Sequence, residues 1–80
     1  MKLISIDLHD MPLIQARREI QKLLKSCNNT VDEIEVIHGY NSGDKILRYI
    51  RTELKHPRID RKYIGLNNGV TNIILKKHTL

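Results

Sequence analysis

Two short apolar runs, each ending on a histidine and passing through a turn into a helical pattern, leave this chain few folds to choose from. Ile4-Ser5-Ile6-Asp7-Leu8-His9 leads into Asp10-Met11-Pro12, and Glu33-Ile34-Glu35-Val36-Ile37-His38 leads into Gly39-Tyr40-Asn41-Ser42-Gly43. Alternation of apolar and polar residues marks each run as a strand, and the stretches that follow carry the period of a helix. If the two strands are parallel neighbours they lie about 5 Å apart. Their carboxyl ends then form the crevice in which open α/β sheets place ligands. Two imidazoles, which titrate near neutral pH, would sit beside two helix N-termini, which attract anions. The combination points to chemistry on a phosphate or another anion.

The rest of the chain fits around these units. The first strand spans about 3–9, with Ile4, Ile6 and Leu8 on one face and Ser5, Asp7 and His9 on the other. The first helix spans about 12–27, capped by Asp10 or Met11, with Pro12 in its first turn. Leu13, Ala16, Ile20, Leu23, Leu24 and Cys27 form its inner face, and Arg17, Arg18, Gln21, Lys22 and Lys25 point outward. The second strand spans about 33–38. The second helix spans about 44–55, with Ser42 a candidate cap and Ile46, Leu47, Ile50 and Leu54 inward, until His56-Pro57 stops it. A basic loop is expected over 58–62. Strands over 62–66 and 70–76 flank the hairpin signal Asn67-Asn68-Gly69. The order βαβαββ predicts an α/β chain of the two-layer α+β kind. Its sheet has four strands, mixed in direction, with strands one and two parallel. Right-handed crossovers put both helices on one face and leave Asp7 and His9 on the open one. Strict alternation turns His38 toward the helices, with Ile34 and Val36.

Eighty residues make one domain, 1–80. With no Trp and no Phe, the core must be Ile, Leu and Val, and an open cleft is a better expectation than a deep pocket. The net charge of +5 is unevenly placed. Residues 1–44 are slightly acidic. Residues 45–62 set Lys45, Arg48, Arg51, Lys55, Arg58, Arg61 and Lys62 against only Glu53 and Asp60. Such a patch suits a polyanion. Cys27 is the only cysteine, which rules out an internal disulfide or a cysteine-built zinc site, and its phase makes it a packing residue. No signal-peptide pattern and no membrane-length apolar run is present. A cytoplasmic protein with no membrane partner is therefore expected. A monomer is the default, since nothing in the sequence sets an oligomeric state.

The same residues resemble a known family. Ile6-Asp7-Leu8-His9 resembles the "LDLHG" motif of the Smr, or small MutS-related, domain, and Val36-Ile37-His38-Gly39 resembles its second motif, a strand ending in "HGxG". Leu47-Arg48 resembles the Leu-Arg pair that follows, after a stretch about one residue longer than usual. Leu54-Lys55-His56-Pro57 and Gly69-Val70-Thr71 resemble its helix end and last strand. Asp10 stands where the first motif has Gly, and Asn41 where the second Gly of "HGxG" is expected; Asn tolerates left-handed backbone. The resemblance implies a two-layer fold similar to the carboxyl-terminal domain of translation initiation factor three. It also implies binding of DNA or RNA and, as in several members, nicking of DNA or cleavage of RNA.

On that resemblance, His9 and His38 could supply the base and acid of phosphodiester hydrolysis, with Asp7 orienting His9 or holding a divalent ion such as Mg²⁺. No other cofactor is implied. Gly39, Tyr40, Asn41 and Gly43 could cradle a phosphate, with Tyr40 stacking on a base or ribose. Lys45, Arg48 and Lys55 form a helix stripe that Arg58, Arg61 and Lys62 extend through a loop able to follow a nucleic-acid backbone. The leading expectation is a nucleic-acid endonuclease. The alternatives are a DNA- or RNA-binding module without catalysis, or a protein-interaction domain in repair or ribosome-associated processes.

Overall fold

Alternation of Ile4 and Ile6 with Ser5 and Asp7 is realised as strand β1 (Leu3–Asp7), whose isoleucines turn inward while Ser5 and Asp7 stay exposed. The computed structural model describes residues 1–40 and 43–76. Helix α1 (Leu13–Ser26) follows, burying Ala16, Ile20 and Leu24. Neither Asp10 nor Met11 caps it. Pro12 takes the cap position at φ −56°, and its carbonyl accepts the Ala16 N–H at 3.0 Å. Asp10 instead turns the chain at φ 61°, a left-handed conformation in which Asp is better tolerated than most residues.

Strand β2 (Glu33–Ile37) returns parallel to β1, pairing Ile4 with Ile34 and Ile6 with Val36. The expected helix over 44–55 is in fact two pieces. Helix α2 (Lys45–Arg48) runs directly into one π-helical turn (Tyr49–Glu53), closed by the Leu54 N–H on the Tyr49 carbonyl at 2.8 Å. This wide turn takes Tyr49 into the core beside Ile50. Asp44 occupies the cap position without a side-chain hydrogen bond, and Ser42 lies outside the described residues.

The third strand is earlier than its sequence suggests. Strand β3 (Ile59–Tyr63) covers most of the expected basic loop, and the expected strand residues Ile64, Gly65 and Leu66 lie beyond it, exposed, in the connection to strand β4 (Val70–Leu75). A bulge between Ile59 and Arg61 lets one strand carry Asp60, Arg61 and Lys62 at the sheet edge. The Gly69 N–H closes the turn on Asn67 Oδ1 at 2.8 Å. Strand order is β1-β2-β4-β3, with β4 antiparallel to both neighbours.

Ile34, Val36, Ile73 and Leu75 from the sheet pack with Ile20 and Leu24 of α1 and with Ile46 and Ile50 of the second helical segment. Both helical segments therefore cover one sheet face, as expected. Each fully buried Leu or Ile contributes about 1.5–3 kcal/mol relative to an exposed one. The other face is polar at its centre. Glu33 is buried there because Tyr63 Oη and Asn72 Nδ2 both donate to its Oε2 at 2.6 Å, and Ser5 donates to Glu35 Oε1 at 2.9 Å.

Candidate functional site

The end of β1 carries Asp7 onto the open face, and the turn that follows brings His9 back beside it. His9 Nδ1–H donates to Asp7 Oδ1, and the His9 backbone N–H donates to the same oxygen at 3.1 Å. The His9 side chain is 57% exposed. Its Nε2 faces solvent, 3.9 Å from Asp10 Oδ2. The Asp7 hydrogen bond raises the His9 pKa above its ordinary 6.5, and the same bond lowers Asp7 below 3.8. Asp7 thus fixes the tautomer: Nδ1 carries the proton and Nε2 is the basic nitrogen.

Across the crevice, the turn after β2 carries Gly39, whose φ of 71° favours glycine. A Cβ there would sit 3.4 Å from the His9 Cβ, so the two turns are in close approach. Gly39 N–H donates to the Gly69 carbonyl at 3.0 Å, which ties this loop to the start of β4. An open groove of about 840 Å³ results, and Asp7, His9, His38, Gly39, Tyr40, Gly43 and Lys45 all line it.

The two histidines are not equivalent. His38 is buried, as strict alternation along β2 requires. Its Nδ1–H donates to the Gly39 carbonyl at 2.8 Å, so its Nε2, 2.8 Å from Thr71 Oγ1, accepts the Thr71 hydroxyl proton. Thr71 Oγ1 in turn accepts Arg51 Nε–H at 2.8 Å. In the neutral ring every donor of this chain meets an acceptor. Burial, and then the positive charge of Arg51, push its pKa below 6.5 against the opposing bond to Gly39.

The basic residues divide in the same way. Lys45 is at the groove, and Arg48 and Lys55 are exposed outside its lining. Arg58, expected on a phosphate, closes the end of α1 instead. Its Nη1 donates to the Leu24 and Cys27 carbonyls at 2.9 and 2.8 Å. Lys62 Nζ donates to the Leu54 carbonyl at 2.6 Å, and burial lowers its pKa. Arg61 pairs with Asp60 at 3.2 Å on the surface. Asn41 lies outside the described residues.

Sequence reasoning missed three parts of this arrangement. Thr71 was signalled by a polar residue at an inward strand position, where a buried hydroxyl must find a partner. Arg51 carried no signal beyond its charge. It also reaches the Asn68 and Val70 carbonyls at 3.2 and 3.3 Å, bracing the start of β4. The third part is a second groove between α1 and Tyr49, lined by Leu13, Ile14, Arg17, Arg18 and Gln21. Its arginines read in sequence as an ordinary solvated face.

Among the described residues no group of three or more His, Cys, Asp or Glu side chains is placed to hold a metal ion. Asp7 Oδ1 already accepts two hydrogen bonds. The described residues therefore build no metal cage around Asp7, whose Oδ1 is committed to His9. No helix among the described residues is long and apolar enough to cross a membrane.

This architecture has a counterpart among solved structures. The crystal structure of the Smr domain of Thermus thermophilus MutS2 superposes with a TM-score of 0.80, covering 95% of this chain and 99% of that one at 20% sequence identity. At that identity the likeness is one of fold. No curated protein sequence matches the chain. Residues 6–76, from the strand that carries Asp7 to the end of the sheet, match the profile of the Smr domain. The chain belongs to the Smr domain family, a family associated with nucleic-acid binding or nicking.

Proposed function

We propose that this Smr domain binds nucleic acid along the crevice and cleaves its phosphodiester backbone, with His9 as the acid–base group and Asp7 holding it in place. The observation that carries the reading is the Asp7–His9 pair, which presents Nε2, free of any hydrogen bond among the described residues and 3.9 Å from Asp10 Oδ2, at the groove. As general base, Nε2 takes a proton from water as the water oxygen bonds to phosphorus and the ester P–O bond breaks, the departing oxygen taking its proton from solvent. Lys45, on the same groove, offsets charge on the phosphate. Tyr40, half exposed at the rim, offers a ring to a base or ribose.

His38 takes a different part. With both nitrogens engaged it shapes the Gly39 turn and is not a proton donor to substrate. A single working histidine also favours a second reading, a module that binds without cutting.

Incubating labelled single-stranded and duplex DNA and RNA with the protein tests both. Cleavage by the wild type should fall about 10²–10⁴-fold in His9→Ala. A folded His9→Ala that cuts at the wild-type rate refutes the first reading, and a wild type that binds every form and cuts none establishes the second.

A further inference from the structure

A nucleic acid seated at His9 must leave the crevice in some direction, and the α1 side offers one lined by exposed cations. The open face of the sheet carries Asp7, Glu33 and Glu35, which repel phosphates. The 64–69 loop beside Gly39 contains no cation. Within the 58–62 segment, Arg58 and Lys62 donate to backbone carbonyls and Arg61 pairs with Asp60. The α1 side is different. Leu13 lines both the His9 groove and the groove between α1 and Tyr49. Arg17 lies one turn beyond Leu13 on α1, and Tyr49 lies one turn beyond Lys45 on the facing segment. The two depressions therefore adjoin at Leu13, and the far one carries the exposed cations Arg17 and Arg18.

The second depression is built for an extended anion. It is an open trough of about 780 Å³. The Arg17 guanidinium stacks 5.1 Å from the centre of the Tyr49 ring, which Gln21 fixes by donating to Tyr49 Oη at 3.2 Å. Stacking orders the guanidinium while leaving it exposed, so less conformational freedom is lost when it meets a phosphate. Arg18 adds a second exposed charge, and Ile14, 67% exposed, sets apolar surface between them and the His9 groove.

We infer that the strand held at His9 continues into the α1–Tyr49 groove, where Arg17 and Arg18 each take a backbone phosphate and Ile14 packs against a sugar or base. This rests on the proposed nucleic-acid reading and adds the first helix to the surface that holds the strand.

The test compares wild type, Arg17→Ala/Arg18→Ala, Arg18→Glu and a charge-matched control, Lys25→Ala/Lys76→Ala, in binding one duplex and one single strand over several salt concentrations. The double arginine variant should bind roughly tenfold or more weakly, and its plot of log affinity against log salt should flatten by about 1.8 on duplex or about 1.4 on a single strand. Arg18→Glu leaves the Arg17–Tyr49 stack intact and should also weaken both ligands. The control should change either quantity less. Arginine variants that match the control in affinity and slope overturn the groove assignment while the nucleic-acid reading stands. A wild type that binds neither ligand overturns both.

Discussion

Thr71 on β4 donates its hydroxyl proton to His38 at the end of β2, across 2.8 Å of buried space, while accepting a proton from Arg51. That one hydroxyl links the imidazole to Arg51 and joins the π-helical turn to the sheet. Removing it leaves His38 Nε2 and Arg51 Nε unpaired. Thr71→Val should therefore cost about 1–3 kcal/mol despite its matched shape, read from the shift of a denaturant midpoint, and Thr71→Ser should recover much of the loss. Equal stability of Thr71→Val and wild type would contradict the chain of bonds.

Arg58 offers a second test, because a residue expected on phosphate is bonded to the end of a helix. Arg58→Ala strips the Leu24 and Cys27 carbonyls of their donor. It should lower stability by about 1–3 kcal/mol and leave the salt dependence of nucleic-acid binding unchanged. A variant of wild-type stability with a flatter salt slope would reverse that assignment.

Gly39 is constrained twice, by a φ of 71° and by the approach of the His9 side chain. Gly39→Ala pays the left-handed penalty of about 1–2 kcal/mol. Its new methyl stands 3.4 Å from the His9 Cβ, so it should also move the His9 ring resonances in a two-dimensional NMR spectrum. Unmoved His9 signals would show that the two turns do not pack as described.

Much of this was legible in the sequence. Alternation at Ile4, Ile6, Ile34 and Val36 marked two strands and their inner faces, the helix between them implied parallel pairing, and the same alternation turned His38 inward. The third strand was not legible. Asp60, Arg61 and Lys62 look like a loop, while Ile64 and Leu66 look like a strand. The bulge next to Arg61 and the demand of β4 for an edge partner outweigh local preference. The π-helical turn leaves no mark in sequence, since Tyr49 fits an α-helical period equally well. At the site, Asp7, His9 and Gly39 were visible as a motif. The split between the histidines was not, because it depends on Thr71 and Arg51, brought to His38 only by the sheet.

The pH dependence of the two imidazoles tests the central claim most directly. His9 is raised by Asp7, so the added stability of its charged form is complete below pH 6.5 and is lost as pH rises through its folded pKa. His38 is lowered by burial, so its contribution is complete above pH 6.5 and is lost as pH falls from there through its folded pKa. Following the ring proton signals by NMR across a pH series should give His9 a midpoint above 6.5 and His38 one below it. Asp7→Asn should bring the His9 midpoint down and leave that of His38 in place. Coincident midpoints, or a His9 midpoint indifferent to Asp7→Asn, would contradict the account of one poised histidine and one structural one.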